Sequence, residues 1–348
     1  MQDLGTITPS LEEFRARAAG TRVIPVHIKI LADSLTPIGI YRSLVLQNDQ
    51  GEPVDAAHGT FLLESAKISA EGESAAWDRY SFIGASSRST LTTVDGAVYW
   101  QGRTPAGAPV DGDPVEAIAK TLQMLYTEPD PTLPPLTSGL VGYLGWDVVR
   151  HWEHLPFPPA DDVNLPEFAL NMVSDMAIHD NKDGTVLLVA NAINFNGTSE
   201  NVDGAYEDAI ARLHSMLRRL QRGAAATTST LSGVADIDRK VREDVTLTWS
   251  EQGFKDAIDR SKKNIIDGDV FQIVLSRRFE AETNAKALDV YRVLRQSNPS
   301  PYMYLFNFED SNGTPFHIVG SSPEALVTLK DGIASTHPIA GSRPRGAT

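Results

Sequence analysis

Residues Phe168–Ile193 read FALNMVSDMAIHDNKDGTVLLVANAI, two β-type runs on either side of Asp183-Gly184. Asp-Gly accepts the positive φ angles of a tight turn, so the stretch predicts an antiparallel hairpin. The same pair recurs between β-type runs at Asp95-Gly96 and Asp331-Gly332. Hairpins spaced along the chain argue against a doubly wound parallel sheet, whose strands need long crossovers instead of tight turns. Upstream, Arg22–Leu31 (RVIPVHIKIL) alternates in the manner of a strand.

Helices stand between these strands. Ser10-Leu11-Glu12-Glu13 has the form of a capping box, in which Ser10 and Glu13 satisfy each other's free N–H groups. Over Asp203–Gln221 the residues Tyr206, Ile210, Leu213, Leu217 and Leu220 share one helical face. Gly223–Gly233 (GAAATTSTLSG) is small, polar and patternless, as in a linker. A second capping box at Thr248-Trp249-Ser250-Glu251 opens a helix with Phe254, Ile258 and Ile265 inward and Gly268 as its stop. A strand is expected over Val270–Phe279, then a helix from about Ala287 to Ser297 that ends before Pro299. The chain reads as α+β, with residues 1–222 and 246–348 as domains and 223–245 as the linker between them.

Composition narrows the function. With 45 acidic against 31 basic residues the net charge is -14, which disfavours nucleic acid and anionic membranes as partners. There is no cysteine, so thiolate catalysis, zinc-thiolate sites and disulfides are excluded. The N-terminus has no apolar signal-peptide core, and no apolar run approaches membrane-spanning length; a cytoplasmic protein is expected. There is no Walker loop, no G-x-G-x-x-G and no G-x-S-x-G. Gly139, Gly142 and Gly145 are spaced for close strand packing, not for holding phosphate. His151-Trp152-Glu153-His154 lacks the H-E-x-x-H spacing and reads as a surface cluster. Asn196-Gly197-Thr198 and Asn312-Gly313-Thr314 read as turns.

Five stretches, in order, resemble the anthranilate synthase component I family of chorismate-utilising enzymes. They are Asp33–Leu44 (DSLTPIGIYRSL); Leu62–Ala66 (LLESA) with Arg79–Gly84 (RYSFIG); Gly268–Arg277 (GDVFQIVLSR); Asn298–Tyr304 (NPSPYMY) with Gly320–Glu324 (GSSPE); and His337–Gly346 (HPIAGSRPRG). The resemblance implies a layered α/β sandwich with large antiparallel sheets. It also implies the reaction: ammonia adds to chorismate, the 4-hydroxyl leaves, and pyruvate is eliminated to give anthranilate.

Hydroxide is a poor leaving group, so a carboxylic acid must protonate it. The resemblance gives that role to Glu324, which would need partial burial to hold a proton near neutrality. From residue type alone it is a loop glutamate after Pro323. Gln272 stands where water-adding relatives carry a lysine base, which implies an amine nucleophile; its plain alternative is a strand glutamine facing solvent. Gly341 and Ser342 match the family's chorismate-contacting glycine-threonine pair, with Ser in place of Thr, or else form a simple turn. Ala340 replaces the nucleophilic lysine of aminodeoxychorismate synthases, which disfavours that activity.

The resemblance further assigns a tryptophan pocket, with Glu64 and Ser65 at the amino acid's charged end and Asn298, Pro301, Tyr302 and Met303 lining it. The plain alternative is a buried strand with a polar end and a helix-stopping loop. Family members continue beyond the last matched stretch, into the part that carries the Mg²⁺-binding glutamates. A C-terminally truncated chain is therefore expected, without metal ligands of its own and unable to make anthranilate alone. A glutamine amidotransferase subunit, component II, is the expected partner and source of ammonia. The other readings are aminodeoxychorismate synthase, isochorismate synthase, and a non-catalytic module that binds tryptophan and the glutaminase.

Overall fold

The computed structural model describes residues 5–66, 79–225, 245–330, 332–336 and 338. Contacts divide the chain into two compact units, residues 1–225 with 287–348 and residues 226–286. Residues 287–348, grouped with 246–286 from the sequence, thus fall in the same unit as the N-terminal part.

The larger unit is built on one ten-stranded antiparallel sheet. Its strands are β1 (Ile7–Thr8), β2 (Val23–Leu31), β3 (Phe61–Glu64), β4 (Tyr80–Val94), β5 (Ala97–Gly102), β6 (Leu140–Leu144), β7 (Phe168–Asp180), β8 (Thr185–Ile193), β11 (Tyr302–Glu309) and β12 (Pro315–Ser322). The order is β1-β2-β8-β7-β4-β3-β11-β12, with β5 on β4 and β6 on β7. A separate small hairpin joins β13 (Thr328–Lys330) to β14 (Ile333–Ser335). Strands β9 (Thr246–Leu247) and β10 (Phe279–Glu280) belong to the smaller unit.

The predicted hairpins form. Asp95 and Gly96 both take positive φ, 51° and 75°, as a two-residue turn requires. At the β7–β8 turn only Gly184 does, at 63°. There Asp180 pairs with Thr185, and its carboxylate accepts the N–H groups of Lys182 and Asp183. The turn is therefore a four-residue loop organised by Asp180. In the third hairpin Gly332 has φ 76°, while Asp331 lies outside the described residues.

Strands β7 and β8 are buried along nearly their whole length; β8 is accordingly almost continuously apolar, while β7 also buries polar residues such as Asn171 and Asp175, each with a hydrogen-bond partner. Alternation sends Val186, Leu188 and Ala190 to one face and Leu187 and Val189 to the other. The first face is covered by helices α1 (Leu11–Ala18), α2 (Pro37–Val45), α4 (Val202–Arg222) and α6 (Ala287–Ser297). The second face carries an aromatic cluster with Phe61, Phe82, Phe306 and Phe308. A third cluster packs Trp100 and Phe168 against α3 (Pro114–Met124). Each fully buried Leu or Phe contributes about 1.5–3 kcal/mol.

The capping box at Ser10 is present with both hydrogen bonds. Helix α4 buries Tyr206, Ala209, Leu213, Met216 and Leu220, whereas Ile210 and Leu217 sit half-buried at the edge of the stripe. Of the expected linker 223–245, residues 226–244 lie outside the described residues.

The smaller unit holds helix α5 (Glu251–Asp267) and the two-stranded pair β9 (Thr246–Leu247) with β10 (Phe279–Glu280). Three expectations change here. The N-cap is Ser250, accepting from Gly253 N–H, so Thr248 caps nothing. Only Ala257 of α5 is buried and Ile265 is 44% exposed, though Gly268 ends the helix in the left-handed region as expected. The expected strand Val270–Phe279 is not formed before Phe279: among the described residues no strand pairs with 270–277, Arg278 only meets Thr248 at the end of the β9–β10 pair, and a strand without a ladder partner is not stable.

Candidate functional site

A cavity of about 560 Å³ lies on the aromatic face of the large sheet, where β3, β11 and β12 run side by side. Its wall includes Leu63, Tyr143, Tyr304 and Phe306, with Pro301–Met303 and the 324–328 segment at its edge. Two glycines make room for this wall. A Cβ on Gly142 would stand 1.9 Å from Ala169 O, so only glycine lets β6 approach β7 here. A Cβ on Gly320 would stand 2.1 Å from Tyr304 Cζ, so the ring lies directly over the glycine across the strand pair. Tyr143 donates its hydroxyl to Pro166 O at 2.8 Å and stacks edge-on against Phe308, 5.3 Å between ring centres. Burial pushes the Tyr143 hydroxyl pKa upward, so it stays a neutral donor.

The strand register decides which side chains reach the cavity. Glu64 pairs with Met303 and Leu63 with Tyr304 across β3 and β11. Leu63, Tyr304 and Phe306 belong to the aromatic cluster, whereas Leu62, Met303 and Leu305 belong to the cluster under the helices. Glu64 shares the face of Leu62. The residue is 5% exposed, and its carboxylate accepts the Tyr291 hydroxyl at 2.6 Å. Arg295 completes an ion pair at 3.3 Å, its Nε–H not aligned as a hydrogen bond. Burial first, then the Glu64 charge, raises the Tyr291 pKa, so the phenol keeps its proton.

Glu64 and Met303 therefore line the cavity through their backbone, with side chains turned towards α6. The carboxylate expected at a ligand's charged end is already occupied by Tyr291 and Arg295. Ser65 and Tyr302 are at the cavity, as is Pro301. Asn298 is not: its N–H caps α6 on Leu294 O at 2.8 Å and its carbonyl accepts from Ser321 at 2.7 Å. Tyr291 and Arg295 were not singled out from the sequence, although their spacing of four places them on one helix face above β3.

Glu324 stands at the cavity edge but is exposed, not partly buried as the acid role would require. Gln272 is exposed in the strandless part of the smaller unit. Ala340, Gly341 and Ser342 lie outside the described residues.

His151 lies between two carboxylates, Nδ1 2.8 Å from Asp113 and Nε2 3.0 Å from Glu167. No group of three or more His, Cys, Asp or Glu is placed to hold a metal among the described residues. These residues do not fit Mg²⁺, which needs several converging oxygen ligands. No described helix is long and apolar enough to cross a membrane.

The antiparallel sheet with its aromatic cavity, joined to the five sequence stretches, defines a class. Residues 55–348 match the model of the chorismate binding enzyme family, and the chain belongs to that family. It is 57% identical to anthranilate synthase component 1 of Arthrobacter globiformis, over 100% of this chain and 62% of that protein. The identity to the protein of the same name from Mycolicibacterium smegmatis is 49%, over 98% of this chain and 61% of the relative. The crystal structure of anthranilate synthase component I from Streptococcus pneumoniae TIGR4 matches with a TM-score of 0.58 and 25% identity, covering 78% of this chain and 55% of that one. The chain thus spans less than two thirds of the length of these relatives.

Proposed function

We infer that this chain supplies the effector-binding part and the start of the chorismate site of an anthranilate synthase component I. That enzyme aminates chorismate and eliminates pyruvate to give anthranilate in tryptophan biosynthesis. The observation that carries the reading is the 560 Å³ cavity, where Leu63–Ser65 and Pro301–Met303 meet although they lie far apart in the chain. Its aromatic wall suits an indole, and the Ser65 hydroxyl with the strand-end backbone offers polar contacts to an amino acid's charged end. Feedback inhibition by L-tryptophan follows from this reading.

In the reaction, Glu324 would protonate the departing hydroxyl once closure around substrate buries it. Gln272 offers an amide and no base, which suits ammonia as nucleophile and disfavours hydration to isochorismate. Ammonia would come from a glutamine amidotransferase subunit, since this chain has no cysteine with which to attack glutamine. Mg²⁺ belongs to the proposed reaction. A cytoplasmic location completes the proposal.

Calorimetric titration with L-tryptophan, with L-phenylalanine as control, tests the reading. Selective binding that is lost in Tyr302→Ala is expected. A folded sample that binds neither amino acid would remove the effector site and reopen the isochorismate and aminodeoxychorismate readings. The product is tested in a chimera carrying the remaining portion of the Arthrobacter globiformis relative. With chorismate, ammonium and Mg²⁺ it should release fluorescent anthranilate, and any other product excludes the assignment.

A further inference from the structure

A second cavity, of about 310 Å³, lies in the larger unit where the turn after β8 meets the first turn of α4. In a chain with 45 acidic and 31 basic residues, its lining is unusual: Arg22, Arg88 and Arg103 against Asp208 and Glu200. The arginines come from three places, before β2, within β4 and after β5.

Arg22 donates Nε and Nη2 to Asn194 O, at 3.2 and 2.9 Å, and Nη1 to Ala106 O at 2.8 Å. Arg103 donates to the Asn196 side-chain oxygen and lies over the Phe195 ring, 4.7 Å from its centre. Neither forms an ion pair with a described carboxylate. A guanidinium has five N–H donors, so neutral carbonyls leave both with charge and donors to spare. Arg88 is paired with Asp208 at 3.0 Å, but Asp208 is shared with Arg212 at 2.9 Å.

The Asn196-Gly197-Thr198 turn, which the function proposed above does not use, forms part of the wall. Gly197 has φ 71°, and a Cβ there would lie 3.6 Å from Arg22 Nη2, so the turn folds directly against that guanidinium. Donors on several separate elements surround a tetrahedral oxyanion better than a planar carboxylate, which a single guanidinium fork satisfies edge-on. The volume is at the small end of metabolite pockets, larger than a bare ion needs.

The geometry points to a binding site for a small phosphate ester between Arg22, Arg88 and Arg103, separate from the aromatic cavity. Glycerol 3-phosphate is the probe, with glycerol and succinate as controls, titrated calorimetrically into the intact chain at low salt. Binding with a dissociation constant of about 1 mM or tighter is expected for glycerol 3-phosphate alone. Arg103→Gln changes an exposed side chain, so its thermal midpoint should stay near that of the parent while affinity falls about tenfold or more. Arg103→Lys should recover part of the loss, since it restores the charge without the fork. No heat from glycerol 3-phosphate at about 10 mM would overturn the site. Equal binding by Arg103→Gln would overturn its location, and equal binding of succinate would overturn the phosphate chemistry.

Discussion

Glu64 shows how a single residue can be well placed and yet differently employed. Its carboxylate is buried against Tyr291 and Arg295, so losing Tyr291 leaves a buried oxygen without its short hydrogen bond and losing Arg295 leaves the charge unpaired. Tyr291→Phe deletes only the hydroxyl. It should cost about 1–3 kcal/mol, measured by urea unfolding, and leave the far-UV spectrum unchanged. An unchanged midpoint would show that Arg295 alone suffices. The sequence reading set Glu64 at a ligand's charged end; period-two alternation along FLLE, which puts Glu64 on the face of Leu62 and away from Leu63, is the signal it left unused. The partners of Glu64 were not legible, because nothing local indicates that α6 crosses β3.

His151 carries the pH dependence at this scale. Burial disfavours its charge, but the hydrogen bonds it donates to Glu167 and Asp113 outweigh that, and its pKa is raised. A raised pKa means that the folded state holds the proton more tightly. The stabilisation is then complete below the unfolded value of about 6.5 and is lost as pH climbs through the raised one. Solvent screening limits it to about 0.2–1 kcal/mol. In His151→Gln the thermal midpoint should decline less steeply above about pH 6.5. A parallel decline in both proteins would exclude this pair of contacts as the source.

Among elements, β6 depends most visibly on one position. Gly142 faces Ala169 O so closely that any Cβ displaces the strand. Gly142→Ala should destabilise the fold by about 1–3 kcal/mol and, because Gly142 and Tyr143 wall the cavity, weaken tryptophan binding as well. Calorimetry and urea unfolding on one sample separate the two effects; intact binding at reduced stability would place β6 outside the effector site. The glycine spacing announced close packing without naming the partner strand. The β7–β8 hairpin was legible because both runs have β-type composition and the turn residues lie between them. Val270–Phe279 was misread for the complementary reason: its composition suits a strand, but pairing requires a neighbour that local sequence cannot specify. Helix α5 was found with the correct stop and the wrong core, since only Ala257 is enclosed.

At the scale of the whole molecule the two units differ in how much they bury. The large sheet has strands enclosed on both faces, whereas the smaller unit exposes Phe271 at 103% and Val274 at 83%. Amide hydrogen exchange should therefore be fast over 251–280 and slow over 168–193, by several orders of magnitude in protection. Comparable protection in both stretches would mean that the smaller unit is anchored more firmly than its burial indicates.

The position of β3 between β4 and β11 has a consequence for synthesis on the ribosome. Its first neighbour follows within a few tens of residues, but the second, Tyr302–Glu309, emerges only about 240 residues later. At about 5–20 residues per second, Phe61–Glu64 waits roughly 10–50 s with one backbone edge open. During that interval the nascent chain presents Phe61, Leu62 and Leu63 to anything able to add a strand, and it is then that chaperones have most to protect.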